Sequence, residues 1–283
     1  MHVRIWGCRG SLATPGPETL RYGGNTSCVE IECNDGTRII LDAGTGIRAL
    51  GRRLAANGSE PIHLCLTHLH LDHIEGIGFF APIFDPKTVL HVWGPRSSVR
   101  SLDERLARYL SAPLFPVELA DLPATFVFHD VEDEPWEIGG ARLNAAPISH
   151  PGATVGYRIE ADGKVMAYLP DHEPAVGVDL NRLTSDWISG YALAEGADVL
   201  IHDAQYTDAE YGDHVGWGHS SLSQALSFGS MTTASRLLLF HHDPQHSDED
   251  LDVHQSRAHE LWQGDGTPPE LAFEGMELQI SPS

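Results

Sequence analysis

Basic residues are scarce in this chain. Eighteen lysines and arginines stand against 40 aspartates and glutamates, a formal net charge of −22 over 283 residues. Binding DNA or structured RNA ordinarily needs a basic face that releases counterions from phosphates, so a large polyanionic partner is disfavoured. Long apolar runs are absent too, and Met1-His2-Val3-Arg4-Ile5-Trp6 enters a strand pattern without a basic region followed by an apolar segment, so neither a membrane span nor a secretory leader is expected. Cysteine is sparse: Cys8, Cys28, Cys33 and Cys65 show no C-x-x-C spacing, and three of them lie in apolar, strand-like contexts. That excludes a disulfide framework and points to a reducing, cytoplasmic setting. No linker, low-complexity tract or solenoid period interrupts residues 1–283, and 41% hydrophobic content suffices for one large core, so a single domain is expected. The densest acidic run, Asp248, Glu249, Asp250 and Asp252, reads as a solvated helix cap.

Histidine, in contrast, is plentiful. Of the 17, three fall within Thr67-His68-Leu69-His70-Leu71-Asp72-His73, immediately after the apolar run Ile62-His63-Leu64-Cys65-Leu66, which reads as a buried strand. His68 and His70, two apart in an extended segment, project to one side, whereas Asp72 and His73 are adjacent and should diverge. Such a turn suits two neighbouring ions better than one. Nitrogen and carboxylate ligands without thiolate indicate zinc, with manganese or iron as mixed N/O alternatives.

The same arrangement recurs along the chain. Val29, Ile31 and Cys33 alternate with Glu30 and Glu32, Asn34-Asp35-Gly36-Thr37 makes a hairpin turn, and Arg38-Ile39-Ile40-Leu41 returns to deliver Asp42 to a strand end. Ile47, Leu50 and Leu54 then give a helical stripe. Thr88 to Trp93 reads as a strand, and Ser97 to Ser111 as a helix carrying Val99, Leu102, Leu106 and Leu110 inward; Ala112-Pro113-Leu114-Phe115-Pro116 is a rigid apolar loop suited to core packing or to a pocket wall. Hairpins turn at Gly139-Gly140 and Asp162-Gly163. His150 follows one strand system and Asp171 another, Asp203 follows Val199-Leu200-Ile201-His202, and His241-His242 follow Leu237-Leu238-Leu239-Phe240. An apolar strand with a histidine or aspartate at its tip, repeated five times or more, is how a rigid scaffold gathers a metal constellation from remote segments. His91 and His129 sit inside strand patterns and read as structural, while His254 and His259, on a helix around Asp252 to Trp262, read as exposed. Met276, Leu278 and Ile280 mark a last strand.

With these residues assembled, the chain resembles the metallo-β-lactamase fold superfamily, in its phosphodiesterase and ribonuclease Z-like branch. The resemblance rests on Leu41-Asp42-Ala43-Gly44-Thr45-Gly46, His68-Leu69-His70-Leu71-Asp72-His73, His150, Asp171, Leu200-Ile201-His202-Asp203-Ala204, Gly218-His219-Ser220-Ser221 and Phe240-His241-His242. It implies an α/β (α+β) fold, a four-layer αββα sandwich with metals at one edge. By position it implies His68, His70 and His150 on one divalent ion, Asp72, His73 and His241 on a second, and Asp171 bridging them; of the final doublet, His241 rather than His242 stands where the family's last ligand stands. Asp203 and His219 resemble the branch's pair beside the metals, Asp42 resembles an aspartate that steadies a metal-bound imidazole, and a homodimer is the family's suggestion for assembly. The sequence departs from ribonuclease Z enzymes in having no Gly-rich, basic insertion to serve as an RNA-gripping arm, and in Ser220-Ser221 where a serine-threonine step is usual.

Two divalent ions, zinc first and manganese second, can lower the pKa of a bridging water from about 16 toward roughly 7 and so supply hydroxide. With Asp72 among the ligands and His219, held by Asp203, facing the departing oxygen, the expected activity is hydrolysis of a small phosphodiester, a cyclic nucleotide or other cyclic phosphate foremost. Arg9, Asn25 and Ser27 are candidates for shaping the pocket, although turn structure accounts for Gly7-Cys8-Arg9-Gly10 equally well. The rival readings are an endonuclease maturing RNA 3′ ends, a carboxylic-ester, thioester or lactam hydrolase using the same nucleophile, and a non-catalytic metal-binding sensor.

Overall fold

Period-two burial and short turn-bounded apolar runs sort the chain into two seven-stranded sheets. In this computed structural model, residues 1–55, 61–131, 134–264 and 266–280 are described. The first sheet contains β1 (His2–Gly7), β2 (Cys28–Glu32), β3 (Arg38–Leu41), β4 (Ile62–Cys65), β5 (Val89–Pro95) and β6 (Thr125–Val131) in sequence order. The second runs from β7 (Trp136–Ile138) through β8 (Ala141–Pro147), β9 (Val155–Ala161), β10 (Lys164–Leu169), β11 (Val199–Asp203) and β12 (Leu237–Phe240) to β13 (Glu270–Leu271), and β14 (Glu277–Gln279) returns to pair with β1. Each sheet begins as antiparallel hairpins and continues as parallel strands, β3 to β6 in one and β10 to β13 in the other.

Burial explains this division. β1 alternates buried and half-buried residues, as befits a strand with one wetter face, whereas all residues of β11 and β12 are buried because helices cover the outside of the parallel half. The helices are α1 (Ile47–Ala55), α2 (Leu71–Ile74), α3 (Leu102–Ala107), α4 (Tyr191–Ala194), α5 (Asp208–His214), α6 (Leu222–Met231) and α7 (Asp248–Leu261). Val3, Ile5, Ile31, Leu143, Ile159, Met166, Ile201 and Phe240 fill the space between the sheets. Ile47, Leu50, Leu102 and Leu106 pack helices onto the first sheet, and Leu193, Leu226, Phe228 and Leu251 onto the second. The result is the four-layer αββα sandwich.

Several local expectations need adjustment. The helix expected over Ser97–Ser111 is confined to Leu102–Ala107, because Ser101 and Glu104 form a capping box that starts it; Val99 is exposed, while Leu102, Leu106 and Leu110 are buried. In the following loop Phe115 packs against Phe79 and Leu114 is exposed. α7 begins at Asp248, four residues earlier than expected, capped by Ser247. Its acidic first turn is only partly solvated, since buried Asp248 accepts hydrogen bonds from the Arg21 and Tyr22 amides at 2.8 and 3.2 Å. His259 is exposed, but His254 is half-buried against His246, ring centroids 4.6 Å apart. His91 and His129 join a stacked row across β4, β5 and β6 with His63 and Trp93. All four cysteines are buried free thiols. Among the described residues no helix is long and apolar enough to cross a membrane.

Candidate metal centre

Six strand tips converge at one edge of the sandwich. β3 ends at Asp42, β4 leads into Thr67-His68 and α2, β8 leads to His150, and β10, β11 and β12 lead to Asp171, Asp203 and His241. Parallel strands send their carboxyl ends to the same side, and that is why candidate ligands as far apart as Asp72 and His241, 169 positions, meet.

Two sets of ligating atoms result, with every pair of ligand atoms within 4.8 Å inside each set: His68, His70, His150 and Asp171 in one, and Asp72, His73, Asp171 and His241 in the other. Asp171 is shared by orientation. Its Oδ1 lies 2.9 Å from His73 Nε2 and 3.2 Å from His241 Nε2, while its Oδ2 lies 3.6 Å from His68 Nε2 and 3.8 Å from His150 Nε2. Asp72 Oδ2 is 3.1 Å from His241 Nε2 and 3.3 Å from His73 Nε2. Asp72 and His73 therefore do not diverge as neighbours in a strand would. They sit in α2, where successive side chains differ by about 100°, and both reach the second set.

The outer nitrogens fix these rings. His73 Nδ1 donates to Asp42 Oδ2 at 2.8 Å, His150 Nδ1 to the Gly218 carbonyl at 2.9 Å and His241 Nδ1 to Gln205 Oε1 at 3.1 Å. His68 Nδ1 lies 3.1 Å from Thr67 Oγ1, whose hydroxyl donates in turn to Asp42. Each ring so held presents Nε2 as an acceptor toward the centre, the second-layer arrangement that orients metal ligands. His150 Nε2 then faces His70 Nδ1 at 3.1 Å, either as the acceptor of a hydrogen bond from it or, in the other His70 tautomer, as one of two lone pairs that a cation could share. Buried His68 Nε2, His73 Nε2 and Asp171 Oδ1 have no partner in hydrogen-bond geometry. The donor set, five imidazoles and two carboxylates, fits a pair of divalent ions of zinc or manganese type.

Charge states agree with ligation for His68 and His150, whereas burial works to lower His73 but Asp171, Asp72 and Asp42 prevail and raise it well above its ordinary range, a proton that an ion at Nε2 would have to displace. Burial, reinforced by His73, holds His68 well below the usual imidazole range, and burial brings His150 down to about 4 against the pull of Asp171. Both are neutral near pH 7, with lone pairs free. Burial works to raise Asp171, but His241 and His73 override it and keep the carboxylate well below its ordinary range. His70 is the exposed member of its set, so the centre opens to solvent on that side.

Asp203 and His219 also reach this edge. His219 stacks on His241 with centroids 4.9 Å apart and meets His150 edge-on at 5.0 Å. Asp203 accepts from His219 Nδ1 at 2.6 Å and from the backbone amides of Gln205, Ser220 and His172 at 3.0, 2.9 and 3.3 Å. Asp203, His219 and His241 also bring ligand atoms within 4.8 Å of one another. Yet the Asp203 oxygens are already matched to donors and His241 Nδ1 to Gln205, so this is a hydrogen-bonded pair beside the ligand sets and not a third ion site. Burial lowers the His219 imidazole, but the adjacent Asp203 carboxylate prevails and raises it to about 9.

Of the pocket candidates, Arg9 lies elsewhere. It is fully buried and donates to the carbonyls of Gly23, Asp243 and His246 at 2.8, 3.0 and 2.7 Å, clamping the segment after His241. Asn25 is bound to Glu274 and Ser27 is buried. From that same turn it is the Ser11 amide that touches the centre, donating to Asp72 Oδ2 at 2.8 Å. His242 points away, donating from Nε2 to the Ala272 carbonyl at 2.7 Å. The roles of Thr67 and Gly218, which lie inside quoted motifs, and of Gln205, Tyr168 and Glu173 are not visible in the sequence; Glu173 and Gln205 stand two residues beyond Asp171 and Asp203, which is the available signal.

Residues 37–242 match the model described as the Beta-lactamase superfamily domain. A protein named Ribonuclease Z from Streptomyces coelicolor is 27% identical over 79% of this chain and 83% of its own length. Among solved structures, the metallo-beta-lactamase fold protein YhfI from Bacillus subtilis superposes with a TM-score of 0.70 at 18% identity, covering 98% of both chains. A diphosphatase from the PhnP family superposes with a TM-score of 0.67 at 18% identity, covering 99% of this chain and 97% of that one.

Proposed function

The chain belongs to the metallo-β-lactamase superfamily, and on that premise we propose that it is a dinuclear metal-dependent hydrolase of small phosphodiesters, a cyclic nucleotide or other cyclic phosphate foremost. The observation that carries this reading is the placement of the Asp203–His219 pair against both ligand sets, because hydrolysis with a poor oxygen leaving group needs a positioned proton donor. His68, His70, His150 and Asp171 would hold one ion, and Asp72, His73, Asp171 and His241 the other. When bound, two such ions supply a water-derived nucleophile at neutral pH and neutralise phosphoryl charge.

The chain's own residues do the rest. Asp203 accepts a hydrogen bond from the Nδ1–H of His219, so Nε2 is the nitrogen left to face a departing alkoxide and hydrogen-bond or protonate it. Three backbone amides hold Asp203, so the carboxylate that anchors the imidazole is itself fixed in place. Asp42 holds one imidazole of each set, His73 directly and His68 through Thr67. The burial of His68, His73, Asp171 and His241 excludes bulk water from the inner side of the centre, leaving the His70 side open.

A second reading, endonucleolytic processing of RNA 3′ ends, is favoured by the similarity to the Streptomyces protein named Ribonuclease Z. The charge of −22 weighs against it, since RNA must approach through the chain's own negative field. Zinc- and manganese-loaded protein should be assayed on cyclic nucleotides, cyclic ribose phosphates, bis(p-nitrophenyl) phosphate, a precursor RNA at physiological salt, and a carboxylic ester, a thioester and a lactam, with His68→Ala as control. Turnover of the small diesters with no RNA cleavage is expected; turnover of a carboxylic ester, thioester or lactam with none of any phosphodiester sinks the proposal. Sedimentation of the loaded protein tests the homodimer expected from resemblance.

A further inference from the structure

Glu173 and Trp217 form one device at the rim of the metal centre. Glu173 follows Asp171 by two residues and is fully buried. Its carboxyl oxygens accept from the Tyr211 hydroxyl at 2.6 Å, from the Gly216 amide at 3.0 and 3.1 Å and from the Gly218 amide at 3.0 Å. A buried carboxyl group matched by neutral donors is stable only while those donors stay in place, so these bonds fix both chain neighbours of Trp217. Gly216 and Gly218 have φ of +86° and +90°, a left-handed conformation natural to glycine.

Gly218 also leans on the centre. Its carbonyl holds His150 Nδ1 at 2.9 Å, and a Cβ placed on it would lie 2.4 Å from that nitrogen. Trp217 therefore stands on a short bridge between a buried anchor and a candidate metal ligand, two residues before His219. Trp217 is nonetheless 59% exposed. The edge of His214 meets it at 4.8 Å, His214 stacks on Tyr206 at 4.3 Å, and Tyr206 lies 6.0 Å from His219, so rings run outward from the proton donor to the rim. Packing does not account for an exposed indole on backbone that is held at both neighbours, whereas a planar ligand at the adjacent centre would.

We propose that Trp217 is a specificity residue that stacks on a planar, base-like group flanking the phosphate, with Glu173 as the positioning residue that fixes its loop. The proposal rests on the phosphodiesterase reading and names the substrate feature recognised: a heteroaromatic base. Because base–aromatic stacking is worth ~1–3 kcal/mol, it should give a preference of roughly 5- to 150-fold.

The test compares adenosine 2′,3′-cyclic phosphate with ribose 2,3-cyclic phosphate, which lacks the base, on zinc-loaded parent, Trp217→Ala, Trp217→Phe and Glu173→Gln. The parent's kcat/KM ratio for the two esters should collapse toward one in Trp217→Ala, survive largely in Trp217→Phe and shrink in Glu173→Gln. Separately, adenosine 5′-monophosphate should quench tryptophan fluorescence of the parent by an increment missing from Trp217→Phe. Equal losses on both esters in Trp217→Ala, or no Trp217-dependent quenching, overturn the proposal. If the parent hydrolyses neither ester but the quenching is present, the phosphodiesterase reading fails and the stacking stands. If it hydrolyses both with equal kcat/KM, that reading stands and the stacking is refuted.

Discussion

Asp42→Asn isolates the physical basis of the proposed second ion site, because it changes one atom and keeps the shape. Asp42 Oδ1 accepts from the Thr67 amide at 2.8 Å, and Oδ2 accepts from His73 Nδ1 at 2.8 Å and from the Tyr168 hydroxyl at 3.0 Å. An asparagine keeps its carbonyl oxygen on the Thr67 amide, which leaves its NH2 group facing His73 Nδ1 and Tyr168. Two donors then meet at Nδ1. The imidazole can relieve this only by moving its proton to Nε2, the nitrogen that faces Asp72 and Asp171, and a protonated Nε2 cannot bind an ion. The Thr67 hydroxyl, 3.1 Å from Oδ1, keeps its acceptor, so His68 and the first set are spared.

Disrupting an outer hydrogen bond of this kind typically costs about 10- to 100-fold in metal affinity. The mismatched buried donor should also cost about 1–3 kcal/mol of stability. Metal stoichiometry measured in a chelator-buffered titration should show two equivalents in the parent, with one weakened by that factor in Asp42→Asn. Tyr168→Phe, which removes only a hydroxyl donor, should keep both equivalents. Two equivalents of parental affinity in Asp42→Asn would refute the tautomer argument.

His241→Ala should lose one ion equivalent, whereas His242→Ala should keep both and lose stability alone, since His242 bonds to the Ala272 carbonyl; metal content and thermal melts separate them. Gly218→Ala places a Cβ 2.4 Å from His150 Nδ1 at a φ of +90°, so the loop must retreat; ion affinity of the first set should fall at least tenfold by the same titration, with parental affinity the adverse result. Away from the centre, burial, followed by His91 and His129, brings His63 down to about 4 from 6.5. The unfolded chain therefore takes up this proton first, and stability should fall as pH drops from 6.5 toward 4. His63→Gln should flatten that part of the melting temperature against pH, and an unchanged slope contradicts it.

The strands and their hairpin turns were legible because period-two alternation and Gly-containing turns are local signals. Asp162-Gly163, for instance, adopts positive φ at both positions, as the two-residue turn requires. The candidate ligands were legible because each follows an apolar run. Less visible was anything fixed by remote backbone, such as the Gly218 carbonyl on His150 or the Ser11 amide on Asp72, whereas the capping box that delays α3 to Leu102 is a local signal, Ser101 followed by Glu104, that the wider apolar stripe obscured. The expected divergence of Asp72 and His73 failed because it assumed extended backbone where a single helical turn begins.

Three aspartates at strand tips show where local reading ends. Asp42, Asp171 and Asp203 each follow an apolar strand and are each buried, so position and polarity cannot assign them different work. Hydrogen-bond satisfaction can. Asp42 is surrounded by Thr67, Tyr168 and His73 donors, which suits it to orient rings and leaves it poorly placed to bind an ion. Asp203 is filled by three backbone amides and His219 Nδ1, so it acts on the charge and orientation of that imidazole. Asp171 instead faces imidazole Nε2 atoms, its Oδ1 lacks hydrogen-bond geometry, and each oxygen points at a different ligand set. A carboxylate with its lone pairs already matched has little to offer a cation, whereas one left among imidazole nitrogens has lone pairs to give. The destination of those lone pairs, set by segments far away in sequence, distinguishes the candidate bridging ligand from the two residues that tune the rings around it.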